Sequence, residues 1–167
     1  MTESISGAEW LAGSLAASGQ THVFFVDAVL RRTLLALGDA GVQPVLAHTE
    51  KAAVYMADGY ARISGRPGVV AAQSVGAANL AAGLQDAYLS RAPIIALTGR
   101  KVPAHQHRNA YQEVDHAQLF AAVTKMQTDV ADAADLPRVL RQAFATSVAL
   151  PPRPVHLDLF GLQAEVI

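Results

Sequence analysis

Residues 48–65 read HTEKAAVYMADGYARISG, and they contain the junction between a buried strand and a helix. An apolar run at 42–47 precedes the junction, and the spacing over 50–63 predicts a helix that begins at Glu50 and ends before Gly65. Proteins of the α/β class bind ligands at the carboxyl ends of their parallel strands. The junction therefore predicts a ligand-facing position for the Glu50 carboxylate.

The rest of the chain continues this alternation of strands and helices. Helices are predicted at 7–18, 29–40, 50–63, 77–89, 116–123 and 136–150, and strands at 21–26, 42–47, 69–73, 93–98, 124–128 and 155–160. A polar loop is expected at 100–115. The pattern predicts an α/β fold, a three-layer α/β/α sandwich with a mostly parallel central sheet of about six strands, and 1–167 are taken as a single domain.

Composition excludes several classes of protein. Apolar residues make up 51% of the chain and charged residues 16%, which is below the average of about 25%. An efficient monomeric core is the plainer interpretation, and burial of some surface against a partner is the alternative. A net charge of −1 without basic clusters argues against nucleic-acid or membrane-surface partners. The absence of cysteine excludes disulfides and thiolate metal sites. Without a membrane-length apolar run or a signal-peptide charge pattern, a cytoplasmic location is the expectation.

Four motifs in order go beyond fold class. They are ADGYAR at 57–62, GAANL at 76–80 with DAY at 86–88, AYQEVD at 110–115, and PRPVHLD at 152–158. Together with the glutamate at 50, they resemble the pyrimidine-binding (PYR) domain of thiamine-diphosphate enzymes, in the acetolactate synthase and 2-oxo acid decarboxylase branch. The resemblance spans nearly the whole chain.

The resemblance implies a catalytic role for Glu50, whose carboxyl would hydrogen-bond N1′ of the cofactor aminopyrimidine and promote loss of the thiazolium C2 proton. Small apolar neighbours would disfavour the charged form of this carboxyl, whereas the helix N-terminus would favour it, and the sequence leaves the balance open. The alternative is an acid that only complements the helix dipole. His48 and Thr49 are interpreted as helix-capping or sheet-end residues.

The same resemblance assigns further site residues. Gln112 would lie near the reacting carbons of the cofactor, with a solvated loop amide as the alternative. Gly76, Ala77 and Asn79 would bind the cofactor at a strand end, where small residues allow close backbone approach, or they would form an ordinary tight turn. His105 and His107 match paired histidines of some decarboxylases only weakly, and we expect a solvated loop there and no metal site.

The chain departs from the family pattern at VDA (26–28), HTE (48–50) and SVG (74–76), which affects the substrate end of the site more than the cofactor end. It also contains no Gly-Asp-Gly, the segment that in this family binds the diphosphate and Mg²⁺. The resemblance therefore implies a split subunit or an excised domain that shares thiamine diphosphate with a diphosphate-binding partner domain carrying Mg²⁺. A homo-oligomer, a dimer in particular, and a small 2-oxo acid substrate are implied as well.

Two other hypotheses belong to different classes. The departures favour a non-catalytic PYR-like assembly or regulatory module. A nucleotide-binding domain is disfavoured because neither a Gly-x-Gly-x-x-Gly motif nor a P-loop is present.

Overall fold

The structure is a computed structural model that describes residues 5–26, 30–73, 75–109 and 113–160. Within these ranges, six α-helices and six strands alternate. The helices are α1 (Gly7–Ala17), α2 (Arg31–Asp39), α3 (Glu50–Ser64), α4 (Gly76–Leu89), α5 (His116–Phe120) and α6 (Leu136–Val148). The strands are β1 (His22–Phe25), β2 (Gln43–Leu46), β3 (Gly68–Gln73), β4 (Ile94–Arg100), β5 (Gln127–Val130) and β6 (Val155–Phe160).

The strands form one sheet in the order β2-β1-β3-β4-β6-β5, and every described pairing is parallel. Alternate side chains of the central strands enter two apolar cores, one on each face of the sheet. One core contains side chains of α1, α2 and α6, and the other contains side chains of α3, α4 and α5. The predicted three-layer α/β/α fold is confirmed.

Several predicted boundaries are wrong. The strand predicted at 124–128 is β5, which begins only at Gln127 because the hydroxyl of Thr124 still donates to the carbonyl of Phe120 at the end of α5. The loop predicted from 100 begins one residue later, since Arg100 pairs with Phe160 at the end of β4. The short helix α5 ends at Phe120, before the predicted 123.

Local chemistry fixes both ends of α3. Thr49 has extended backbone and its hydroxyl accepts a hydrogen bond from the amide of Ala52 at 3.1 Å, which satisfies one free donor of the first turn. Gly65 ends the helix with a φ of +68°, a left-handed conformation that glycine adopts without steric cost. These two residues explain why the sequence predicted α3 almost to the residue.

Small residues let α3 and α4 pack closely together. A Cβ on Gly83 would lie 2.9 Å from the Cβ of Val54, nearer than a side chain tolerates. Close packing brings the amino-terminal turns of the two helices together at the carboxyl edge of the sheet. Among the described helices, none combines the length and the apolar character that crossing a bilayer would require.

Candidate active site

Glu50 is the first residue of α3, directly after the capping Thr49 and four residues beyond the end of β2. Its side chain is half-buried, so the carboxylate is held by the protein but open to a ligand. The free backbone N–H groups of the first turn favour a negative charge at this position. In the structure, the carboxylate therefore lies at a strand-to-helix junction, as the sequence predicted.

Asn79 orients this carboxylate from the neighbouring helix. Its Nδ2 donates a hydrogen bond to Oε2 of Glu50 at 2.9 Å. Asn79 lies in the first turn of α4 and its side chain is exposed, so the bond forms at the rim of the site. Oε1 of Glu50 accepts no hydrogen bond from the described part of the chain, which leaves it free to accept one from a ligand.

Gly76 provides the room that this arrangement requires. A Cβ at Gly76 would lie 3.0 Å from the carboxyl carbon of Glu50 and nearer still to Oε1. Any larger residue would push the carboxylate away. Ala77 follows Gly76, but its side chain is fully buried in the core beneath α4, so only its backbone could face a ligand.

Among the described residues, none of the loop residues considered from the sequence bonds to the Glu50 carboxylate. Gln112 lies outside the described residues. Its neighbour Glu113 is half-buried and accepts a hydrogen bond from the backbone N–H of His107. His105 and His107 are both exposed, in agreement with a solvated loop.

The departures from the family pattern are described only in part. Asp27, Ala28 and Ser74 lie outside the described residues. Val75, which follows Ser74, is 47% exposed beside Gly76. His48 is exposed. Thr49 caps α3, which is one of the two roles predicted for these residues.

A buried polar cluster under α5 was missed by the sequence analysis. Oγ1 of Thr98 donates to Oδ1 of Asp158 at 2.8 Å and lies 2.7 Å from Nε2 of His156. Nδ1 of His116 and Nη1 of Arg100 both reach Oδ2 of Asp158, at 3.0 and 3.3 Å. Thr98, His116 and Asp158 are fully buried, and His156 nearly so. Because Thr98 gives its proton to Asp158, Nε2 of His156 must be the donor to Thr98.

Burial lowers the pKa of His156 to about 3, although the charge of Asp158 acts in the opposite direction. His156 is therefore neutral at physiological pH. The one available signal was the alternation of His156 and Asp158 in an otherwise apolar strand, which places both on one face of the sheet. Their partners come from distant segments, and the sequence alone does not connect them.

The cluster contains three side chains of types that bind metal ions, namely those of His116, His156 and Asp158. One ligand atom from each lies within 4.8 Å of the others, which is close enough to surround a metal ion. Next to the cluster is a polar cavity of about 500 Å³, lined by residues near the carboxyl ends of β4 and β5. Arg100 and Asp129 line it from the strands, and Glu113 and Asp115 line it from the loop. Burial and the nearby charge of Asp158 raise the pKa of Asp129.

Comparison with known proteins assigns a family. The sequence model of the family described as "Thiamine pyrophosphate enzyme, N-terminal TPP binding domain" matches residues 5–119. The acetolactate synthase isozyme 2 large subunit of Escherichia coli (strain K12) is 36% identical over 157 residues, which are 93% of this chain and 29% of that protein. The acetolactate synthase of Bacillus subtilis (strain 168) is 36% identical over 145 residues, 86% of this chain and 25% of that protein.

A plant relative gives the same result. The chloroplastic acetolactate synthase of Arabidopsis thaliana is 36% identical over 121 residues, 72% of this chain and 18% of that protein. This chain thus spans less than a third of the length of each of these relatives. The matched range includes Glu50, Gly76 and Asn79, and it confirms the resemblance found in the sequence. The chain belongs to the family of thiamine pyrophosphate enzymes and contains their N-terminal TPP-binding domain.

Proposed function

We propose that Glu50 is the catalytic acid–base of this domain and that it acts on the aminopyrimidine ring of thiamine diphosphate. The observation that supports this role is the convergence of Asn79 and Gly76 on one carboxylate. Asn79 holds Oε2 by its 2.9 Å bond, and Gly76, which has no side chain, lets Oε1 lie close to its backbone. A half-buried carboxylate oxygen with no donor from the described chain fits a ring nitrogen that shares a proton with it.

Thiamine diphosphate, bound beside Glu50, would supply a nucleophilic carbon for chemistry on a 2-oxo acid. The contribution of this chain would be to exchange a proton at Oε1 of Glu50. Asn79 keeps the carboxylate from rotating while the proton moves. We assign Ala77 a backbone role beside Gly76 and Gln112 a role near the reacting carbons, on the resemblance alone.

The rest of the active site belongs to a partner in this proposal. A diphosphate-binding domain would hold the diphosphate and Mg²⁺, and a dimer would bring the two domains together. An exposed apolar groove of about 580 Å³ on α3 supports a protein partner, since Tyr55, Met56 and Ile63 are 45%, 42% and 91% exposed there. The substrate class is a small 2-oxo acid.

The experiment compares Glu50→Gln with Asp58→Asn in the protein completed by its diphosphate-binding domain. Both variants change an acid into its amide on α3, but Asp58 pairs with Arg62 away from the site. We expect Glu50→Gln to lower turnover of a 2-oxo acid by about a hundredfold or more and Asp58→Asn to leave it unchanged.

Thiamine diphosphate binding, measured by calorimetry in the same samples, separates the hypotheses. The proposal is supported if the wild-type protein binds thiamine diphosphate and Glu50→Gln loses turnover. Equal turnover in the two variants contradicts the role of Glu50. No thiamine diphosphate binding by the completed wild-type protein favours the non-catalytic assembly module instead.

A further inference from the structure

The two residues that flank the 101–115 loop, Arg100 and His116, bind the same carboxylate, that of Asp158. Arg100, the last residue of β4, precedes the loop, and its Nη1 lies 3.3 Å from Oδ2 of Asp158. His116, the first residue of α5, follows the loop, and its Nδ1 lies 3.0 Å from the same oxygen. Asp158 is fully buried on β6, so the loop begins and ends at one fixed point of the sheet.

The carboxylate cannot turn away from these partners. The hydroxyl of Thr98 donates to Oδ1 at 2.8 Å, and His156 holds that hydroxyl from its other side at 2.7 Å. His156 itself stacks on the ring of Phe120 with the ring centres 3.8 Å apart. Each oxygen of Asp158 is therefore committed to a donor from a packed element.

Arg100 extends the same connection into the loop. Its Nη2 donates to Oε1 of Gln106 at 2.7 Å, and Nε2 of Gln106 donates to the carbonyl of Lys101 at 2.5 Å. Further along, the carboxylate of Glu113 accepts a hydrogen bond from the backbone N–H of His107. In the described part of the loop, these bonds join Lys101 to Gln106 and His107 to Glu113, and Gln106 links the loop to the buried cluster.

We propose that Asp158, acting through Arg100 and Gln106, is a positioning residue that sets the place of the 101–115 loop at the carboxyl edge of the sheet. The inference rests on the proposed function at one point, because the loop contains Gln112, to which we assign a role near the reacting carbons. A buried charged pair can hold the loop in place, because loss of either partner leaves an uncompensated buried charge that strongly destabilises the fold. Residues 101–109, which contain Gln106, are therefore positioned by contacts within the protein itself.

A metal centre is the other use of these residues, and the structure favours the hydrogen-bonded cluster. The facing atoms of Thr98, His116, His156 and Asp158 lie 2.7–3.2 Å apart, the separations of donors and acceptors bonded to each other. A divalent cation would meet a single carboxylate with the Arg100 guanidinium already beside it. The excess of positive charge in a buried setting disfavours such an ion.

The test measures amide hydrogen exchange over 101–109 in the full-length protein without added cofactor. We expect Gln106→Leu to speed exchange of this segment by about tenfold or more, because it removes both loop bonds and leaves the buried cluster intact. Asp158→Asn should have at least as large an effect. Gln106→Glu keeps an acceptor for Arg100 and should recover most of the protection.

Gln85→Leu is the matched control, because it makes the same change at an exposed position of α4 that does not line the cavity beside the cluster. It should leave exchange of the loop at the wild-type rate. If Gln106→Leu exchanges within about twofold of wild type, or if Gln85→Leu speeds the loop equally, the proposal is wrong, whatever Asp158→Asn does. If EDTA speeds exchange of the loop as much as Asp158→Asn, the cluster is a metal centre and the proposal is likewise wrong.

A second measurement tests the functional part. In the completed protein with thiamine diphosphate and Mg²⁺, Gln106→Leu should lower kcat while the Kd for thiamine diphosphate stays at its wild-type value, since Glu50 is untouched. An unchanged kcat would overturn the link to catalysis. Failure of the wild-type protein to bind thiamine diphosphate would refute the proposed function, whereas the exchange experiment would still decide the positioning role.

Discussion

Asn79 donates a hydrogen bond to Oε2 of Glu50 across 2.9 Å, so the first turn of α4 fixes the carboxylate that begins α3. Gly76, three residues before Asn79, leaves the space in which the other carboxylate oxygen lies. Two helices that are adjacent only in the folded protein therefore define a single acidic group at the carboxyl edge of the sheet. The consequences for the site can be measured one residue at a time.

Asn79→Ala should weaken the site without unfolding the protein, because Asn79 is exposed and its amide holds Glu50. A hydrogen bond to a charged group contributes about 1.5–3 kcal/mol, so turnover in the completed protein should fall roughly tenfold to a hundredfold. Asn79→Asp should be worse, since it places a second carboxylate beside Glu50. Gln85→Ala, at an exposed position of the same helix, is the control, and equal turnover in all of these variants would refute the positioning of Glu50 by Asn79.

Gly76→Ala should displace the Glu50 carboxyl, because the new Cβ would lie 3.0 Å from its carboxyl carbon. Because the displaced atoms are the end of a flexible, half-buried side chain, the free energy of unfolding in urea should change by less than about 1 kcal/mol, whereas turnover of the completed protein should fall roughly tenfold or more. Gly59→Ala is the control on α3, where a Cβ would meet nothing within 4 Å. That change should stabilise the protein by up to about 1 kcal/mol, since alanine is the better helix former. Wild-type turnover in Gly76→Ala would contradict the prediction, because it would show that the carboxylate keeps its position beside a Cβ.

The free energy of unfolding should depend on pH because of His156. Burial lowers the pKa of this histidine in the folded protein to about 3, from the ordinary value of 6.5 in the unfolded chain. Between these values the unfolded chain binds the extra proton, so the free energy of unfolding should fall as the pH drops below about 6.5. The slope from this residue is roughly 1 kcal/mol per pH unit. Above pH 7 both states are neutral at this residue and the effect disappears.

Urea unfolding of the wild type and of His156→Gln between pH 8 and pH 5 checks this. Three ionisable groups face His156, namely Asp158, His116 and Arg100, and all are present in both proteins. The difference between the two slopes therefore isolates His156. Parallel curves for the two proteins would show that His156 takes up its proton in the folded state as readily as in the unfolded chain.

Much of the fold could be predicted because its signals are local. Thr49 and Gly65 mark the ends of α3 through hydrogen bonding and backbone geometry, and both are visible in the sequence. The start of β5 was misplaced although the interaction there is local, since Thr124 continues the turn after α5 by bonding to Phe120, four residues earlier. A β-branched residue there is typical of a strand, and only the folded chain shows otherwise.

The candidate site could be predicted for its residues but not for its connections. Glu50, Gly76 and Asn79 were identified from a strand–helix junction and a motif, whereas their contact depends on how closely α4 packs on α3. The cluster around Asp158 was missed because its partners Arg100 and His116 are 58 and 42 positions away in the chain. Buried polar residues in an apolar strand indicate that partners exist, but not which ones.

The central claim is that the carboxyl of Glu50 activates the cofactor, and the most direct measurement is the rate at which C2 of bound thiamine diphosphate exchanges its proton for deuterium. The protein, completed by its diphosphate-binding domain and loaded with Mg²⁺, is mixed with deuterium oxide, quenched and analysed by NMR. We expect Glu50→Gln to slow this exchange by about a hundredfold or more while thiamine diphosphate stays bound. Exchange in Glu50→Gln at the wild-type rate would contradict the account.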